Sequence, residues 1–289
     1  MNNLPARISE VRRDLIASLA DLYPGNEAVS VSRLILEHLG YPQTDMLKDP
    51  VALVDYEIQS EINKIVGELT NNRPVQYVLG ETEFHELKFY VDENVLIPRP
   101  ETEELVSNIL LETKHPSPRV IDIGSGSGCI AISLAALLPG SRVTAFEKDP
   151  AALDIAKKNA EINEVVPEFI QGDILDEGSF QPEALFDVIV SNPPYVTHGE
   201  KSFMEKRVTD HEPDLALYVP DDDPLLYYRA IGRFAEKWLK QTGTIWVEIN
   251  EQFGRETSQL FSDHGFINTR LMKDIHGKER FIKAMRNNV

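Results

Sequence analysis

Apolar side chains recur every three or four positions through the first 75 residues or so. Leu4, Ile8, Val11, Leu15 and Leu19 make one stripe, and Val31, Leu34, Ile35 and Leu39 make a second that Gly40 can end. Ile58, Ile62, Ile65 and Leu69 make a third, from about Asp55 to Leu69. A spacing close to 3.6 puts each set on one face of a helix. No strand pattern interrupts them, so residues 1–75 predict a small helical domain. The texture changes from Arg73 to Pro100, where Gly80, aromatics and alternating apolar residues predict extended strands or a hairpin over 76–100. Pro100 suits the first turn of a helix, and Glu101, Glu103 and Glu104 would lie near its positive amino end.

Beyond the loop "KHPSPR" the period alternates, giving a third region, 101–289. "RVIDIG", "RVTAFE", "EFIQGD", "FDVIVSN" and "GTIWVEIN" read as strands. "CIAISLAALL", "AALDIAKKNAEIN" and "DPLLYYRAIGRFAEKWLK" read as helices between them, and "FINTRLMKDI" and "KERFIKAMR" as two final strands. Asp149 and Pro150 supply a cap and a first helical residue. Near-continuous Val/Ile runs separated by helices predict an α/β fold, a mostly parallel sheet covered on both faces.

Composition narrows the function. Of 289 residues, 42% are hydrophobic and 26% charged, a globular balance. No apolar run approaches a membrane span, and "MNNLPARISEVRRDLIASLADLYPG" reads as structure, not as a secretion signal. One cysteine, Cys129, precludes an internal disulfide and suits a reducing cytoplasm; it is expected to pack as a small apolar residue at a helix start. No Cys/His cluster has zinc spacing, so no metal is expected. Acidic residues outnumber basic ones 47 to 29, and a net charge of −18 argues against tight binding to bare nucleic acid.

The candidate chemistry sits at strand ends. "DIGSGSG" places Gly124, Ser125, Gly126, Ser127 and Gly128 between a strand and a helix, where glycines permit a tight turn and close approach to a ligand. A dinucleotide fingerprint would need glycine at 129, and a Walker loop would need Gly-Lys-Ser/Thr; neither is present. Glu147 ends the next strand, where an acid can accept both hydroxyls of a ribose. Asp173 follows the third strand, in reach of an adenine amino group. Together they outline a pocket for an adenosine-containing ligand without a pyrophosphate.

"SNPPY" closes the fourth strand beside the same crevice. Pro193 keeps Asn192 out of the helical region, and Pro194 does the same to Pro193. The Asn192 side-chain oxygen and the Pro193 carbonyl then form two fixed acceptors, suited to a planar –NH₂ group on which Tyr195 could stack.

"DIGSGSG", Glu147 and "SNPPY" resemble a class I S-adenosylmethionine methyltransferase acting on an amino or amide nitrogen. More narrowly, "RPVQYVLGETEFHELKFYVDENVLIPRPETEELV", "FDVIVSNPPYV", "HEPDLALYV" and "GKERFI" resemble the peptide chain release factor glutamine methyltransferases (the HemK/PrmC family). The resemblance covers nearly the whole chain. It implies a Rossmann-like domain over 101–289 and an N-terminal helical domain that grips the release factor. The implied cofactor is S-adenosyl-L-methionine, leaving as S-adenosyl-L-homocysteine. The implied substrate is the Gly-Gly-Gln glutamine, methylated at N5. "DDDPLLYYRAI" departs from the family, which more often has Asp-Gly before the leucine, and this bears on one loop only.

Asn192, Pro193, Pro194 and Tyr195 are the expected catalytic group, with Asn192 also touching cofactor. Arg99 and Glu101 are expected either to organise the pocket wall or to pair at the helix start, and Phe84 and Phe89 to line a channel or pack in the core. Glu212 and Pro213 are read as a lid or a plain loop, Glu248 as a strand-end acid near the crevice, and Asp221 to Asp223 as a solvated run. Two other readings stay open: an adenine-N6 or other nucleic-acid amine methyltransferase, which shares the acceptor geometry, and a cofactor-binding module without catalysis.

Overall fold

The computed structural model describes residues 5–286. Leu4, placed on the first stripe, lies outside them. The chain forms two compact units: one comprises the chain up to Gly80 together with Lys206–His211, the other Glu81–Glu205 and Glu212 onward.

Elements are numbered along the chain. The first unit contains β1 (Ala6–Arg7), α1 (Ile8–Leu19), α2 (Asn26–His38), α3 (Gln43–Lys48), β2 (Leu53–Val54), α4 (Tyr56–Leu69) and α5 (Val75–Leu79), with the later turn α9 (Lys206–Thr209). Its core is the expected stripes folded together: Ile8, Leu15, Leu19, Val31, Ile35, Ile62, Ile65 and Leu69 are buried. Leu34 is 37% exposed and Leu36 takes the inner position, because the buried face of α2 runs through Ala28, Val31, Ser32, Ile35 and Leu36. Contrary to the uninterrupted helical pattern, Ala6–Arg7 pairs antiparallel with Leu53–Val54, a ladder too short for a period of two to register. Helix α5 carries the unit past residue 75 and stops at Gly80, whose φ of 71° is left-handed. Arg207 ties its segment to this unit, donating to the Leu22 carbonyl (2.9 Å) and Glu27 (3.0 Å) and lying over the Tyr23 ring.

The second unit opens with the hairpin β3 (Glu81–Phe84) and β4 (Leu87–Tyr90), then α6 (Pro100–Glu112). The hairpin turn places His85 and Glu86 at φ of 50° and 61°, where Asn-Gly is usual. Glu103 offsets that strain: its carboxylate accepts from the His85 N–H at 3.0 Å and its carbonyl bonds the His85 ring at 2.8 Å. There follow β5 (Arg119–Ile123), α7 (Cys129–Leu137), β6 (Arg142–Glu147), α8 (Pro150–Ile162), β7 (Glu168–Gln171), β8 (Phe186–Ser191) and β9 (Val196–Thr197). The chain ends with α10 (Asp214–Leu217), β10 (Tyr218–Val219), α11 (Leu226–Trp238), β11 (Leu239–Glu248), α12 (Gly254–Asp263), β12 (Phe266–Lys273) and β13 (Glu279–Arg286). Among the described residues no helix is long and apolar enough to cross a membrane.

Seven strands form one sheet in the order β12-β13-β11-β8-β5-β6-β7. Strands β7, β6, β5, β8 and β11 run parallel; β13 and β12 are antiparallel to their neighbours. Alternation along each strand splits the core. Val120, Val143, Val188, Val190, Trp246 and Phe281 face α6, α7, α8 and the hairpin. Ile121, Ile123, Ile189, Ile245, Val247 and Ile282 face α11 and α12. Phe84 and Phe89, 1% and 0% exposed, pack in the first of these layers, so neither lines a channel. From β5 the chain moves outward through β6 and β7, then returns to β8 on the other side. That reversal opens a crevice beyond the carboxyl ends of the strands.

Candidate active site

A cavity of about 1060 Å³, including the space open at its mouth, occupies the crevice. Its lining includes Gly124 to Ser127, Glu147, Asp173 and Asn192 to Pro194. Gly128 and Tyr195 do not line it, contrary to expectation. Gly128 lies between two lining residues, Ser127 and Cys129, but faces the other way: a Cβ there would lie 2.8 Å from Ile132 Cδ1 and 3.1 Å from Ala156 Cβ, so this glycine serves the packing of α7 on α8. Tyr195 turns inward and donates to Glu248 Oε1 at 3.0 Å, so its ring is not placed to stack on a ligand.

The glycine loop is tied to the sheet. Gly124 and Ser125 N–H both donate to the Phe146 carbonyl, at 2.8 and 3.2 Å, and Gly126 N–H donates to Glu147 Oε2 at 2.9 Å. Glu147 Oε1 takes the Asp149 N–H at 2.8 Å. Three consecutive loop donors are thus consumed within the fold, so the turn is not an anion cradle of the P-loop kind. Glu147, 8% exposed, keeps one lone pair on each oxygen for hydroxyl donors. Asp173 accepts from Leu175 N–H at 2.9 Å and pairs with Lys148 at 2.9 Å, and that pairing raises the Lys148 pKa.

Among the described residues, two buried polar side-chain atoms at the loop have no hydrogen-bond partner: Ser125 Oγ and Asp122 Oδ1. Asp122 Oδ2 accepts from Ala131 N–H at 3.1 Å, yet burial pushes its carboxyl up to about 8. Burial, and then Asp122 itself, lifts the Cys129 thiol to about 12, which makes it an inert packing group. An unpartnered hydroxyl, a spare-acceptor acid and open space over Gly124 and Gly126 fit a nucleoside carrying a polar, charged tail. The residues present therefore suit S-adenosylmethionine.

Opposite the loop, Asn192 Nδ2 donates to Thr102 Oγ1 at 3.1 Å, and Thr102 donates to Glu248 Oε2 at 2.7 Å. Among the described residues, neither the Asn192 side-chain oxygen nor the Pro193 carbonyl accepts a hydrogen bond. Glu248, 1% exposed, does not reach the cavity but holds both Thr102 and Tyr195; burial raises its pKa. Arg99 lines the wall and pairs with Glu212 at 2.5 Å, not with Glu101, and Glu212 also takes the Ile97 N–H. Pro213 lines the cavity. Asp221 and Asp223 are engaged as well, with the Gly199 N–H and Arg229 respectively.

Sequence reasoning missed Thr102 and Asp122. Both leave a signal: Thr102 occupies the apolar stripe of α6 with Leu105, Val106 and Ile109, and Asp122 interrupts an otherwise apolar buried strand.

The strand order, the glycine turn after β5, the acid closing β6 and the Asn-Pro-Pro closing β8 define a class I methyltransferase fold. The family model for the methyltransferase small domain matches residues 102–211. A solved methyltransferase from Pyrococcus furiosus superposes with a TM-score of 0.54 at 15% identity, covering 76% of this chain and 97% of that one. A release factor glutamine methyltransferase of Flavobacterium psychrophilum is 43% identical over 282 residues, 96% of this chain and 98% of the relative. That of Bacteroides thetaiotaomicron is 40% identical over 287 residues, 99% and 100% of the two chains. The chain belongs to the release factor glutamine methyltransferase family.

Proposed function

We propose that this protein methylates the side-chain amide nitrogen, N5, of the glutamine in the Gly-Gly-Gln loop of peptide chain release factors, using S-adenosylmethionine. Family membership supports the substrate class. The observation that carries the chemistry is the unpaired Asn192 oxygen beside the unpaired Pro193 carbonyl, both at the cavity wall.

Glu147, Asp173 and the Gly124–Ser127 loop would hold the nucleoside, with the unpartnered Ser125 hydroxyl near its polar tail. When bound, S-adenosylmethionine supplies a methyl group activated by a sulfonium. An amide nitrogen is a weak nucleophile because its lone pair is delocalised into the carbonyl. Asn192 Oδ1 and Pro193 O accept its two hydrogens, fix its plane and place negative partial charge where positive charge develops. Positioning of this kind is worth roughly 7–11 kcal/mol. Neither acceptor can take the proton the nitrogen loses, so it leaves to water. The helical unit is assigned the grip on the release factor.

Incubation with methyl-labelled cofactor and either release factor or DNA tests the reading. Label on the Gly-Gly-Gln glutamine supports it; label on DNA alone overturns it in favour of a nucleic-acid amine methyltransferase, and label on neither leaves a binding module. Asn192→Ala should cut turnover by about 100-fold or more with cofactor affinity changed far less.

A further inference from the structure

The Asn192 amide has two ends of nearly equal size and opposite hydrogen-bonding sense. Only one orientation offers an acceptor to the cavity. Nothing in Asn-Pro-Pro-Tyr itself selects it, since the prolines restrict backbone angles and not the amide torsion. The choice is made 90 residues earlier in the chain, at Thr102.

Glu248 lies at the end of β11 and is 1% exposed. Its carboxylate takes the Tyr195 hydroxyl on one oxygen (3.0 Å) and the Thr102 hydroxyl on the other (2.7 Å). Arg280 on β13 favours the charged form, Glu101 on α6 opposes it, and Tyr228 on α11 donates to the Glu248 carbonyl at 3.1 Å. A threonine hydroxyl has one hydrogen. Once that hydrogen is given to Glu248, Thr102 Oγ1 can only accept, and only the NH₂ end of Asn192 can satisfy it. The 3.1 Å Asn192 contact is therefore the first of two links in a directed chain that ends at Glu248.

We propose that Thr102 and Glu248 are positioning residues that set the polarity of the Asn192 amide, through the donor sequence Asn192 to Thr102 to Glu248. This rests on the reading above that Asn192 accepts from the substrate amide. The chain is directional, so a change of sign at Glu248 propagates. In Glu248→Gln, Tyr195 still donates to the remaining oxygen and the new NH₂ meets Thr102. Thr102 then turns its hydrogen toward Asn192, whose oxygen rotates to receive it and whose NH₂ swings to the cavity. A donor would then face the substrate's own donors. A purely structural role predicts otherwise: Glu248→Gln keeps volume and removes a buried charge, which leaves packing intact.

The test uses the full chain with release factor and S-adenosylmethionine, measuring kcat, KM and S-adenosylhomocysteine affinity by calorimetry. Thr102→Val and Glu248→Gln should each lower kcat by about 10- to 100-fold, the scale of a misplaced catalytic group, with cofactor affinity within about threefold. Thr102→Ser, which retains the hydroxyl, should stay within about threefold of the parent. In an Asn192→Ala background, Thr102→Val and Glu248→Gln should add less than about twofold, because the only group they orient is gone. The inference is overturned by a Glu248→Gln enzyme of parental kcat, by equal losses in Thr102→Ser and Thr102→Val, or by full-sized losses persisting in Asn192→Ala. If Thr102→Val does not fold, the volume-preserving Glu248→Gln and Thr102→Ser carry the test. A mild Asn192→Ala phenotype instead sinks the acceptor reading itself, and so separates the two failures.

Discussion

Replacing Gly128 by alanine, with Gly126→Ala as its control, probes how the turn after β5 is built. Both glycines are left-handed, at φ of 82° and 53°. A Cβ at that φ costs about 1–2 kcal/mol. The loss of unfolded-chain freedom returns about 0.4–1 kcal/mol, so Gly126→Ala, whose Cβ would meet nothing within 4 Å, should destabilise by at most about 1.5 kcal/mol. The Cβ at Gly128 would meet Ile132 Cδ1 at 2.8 Å, Ala156 Cβ at 3.1 Å and Ala156 Cα at 3.4 Å. Ile132 can swing its terminal methyl, but Ala156 has no rotamer to change, so α8 must shift. Overpacking of this kind costs about 1–3 kcal/mol, and Gly128→Ala should therefore exceed Gly126→Ala by that amount. Urea unfolding followed by tryptophan fluorescence suits the measurement, since Trp238 and Trp246 are the chain's two tryptophans and both lie in the second unit. Gly126 lines the cavity and Gly128 does not, so Gly126→Ala should lose more cofactor affinity per unit of stability. Equal stabilities for the two variants would refute the packing argument.

Glu147→Gln sets an NH₂ against one of the two backbone donors, Gly126 or Asp149 N–H, that the carboxylate accepts; a destabilisation of about 1–3 kcal/mol and weaker S-adenosylhomocysteine binding by calorimetry are expected. Burial holds the Asp122 carboxyl protonated up to about pH 8, whereas the unfolded chain loses that proton near 3.8. Unfolded chain thus binds fewer protons across that window, so this group lowers stability as pH rises from about 4 to 8 and adds nothing further above it; thermal unfolding of ligand-free Asp122→Asn should lack that fall. Arg99→Met strands the Glu212 carboxylate, whose side chain is 1% exposed against 31% for Arg99. Because Arg99 is partly solvated, the loss should be about 2–3 kcal/mol, below the range for a fully buried pair, and Arg99→Met with Glu212→Leu should recover most of it in denaturant titrations.

Much of this protein is legible in one dimension because its physics is local. Helices α1, α2, α4, α8 and α11 announce themselves by spacing, and the parallel strands by apolar runs too short for helices. Glycines, Glu147, Asp173 and Asn-Pro-Pro are likewise visible, since strand ends in an open α/β sheet fall on one edge and every such residue is carried to it. Local pattern fails where a contact spans the chain. The hairpin turn at His85–Glu86 carries no turn residues, because Glu103 supplies what Asn-Gly would have. Arg99 reads either as pocket wall or as a partner for its neighbour Glu101; it lines the wall, and the ionic partner that the fold brings to it is Glu212. Gly128 looks like part of a ligand loop, but only the approach of α8 shows that its missing side chain makes room for Ala156. Sequence alone, then, determined which acceptor groups exist and at which sheet edge they sit, for a strand's period and a proline's φ are properties of a few consecutive residues. Which way those groups point was decided by tertiary structure: hydrogen-bond polarity at Asn192 is inherited from Thr102 and Glu248, residues on a helix and a strand that meet it only when the chain is folded.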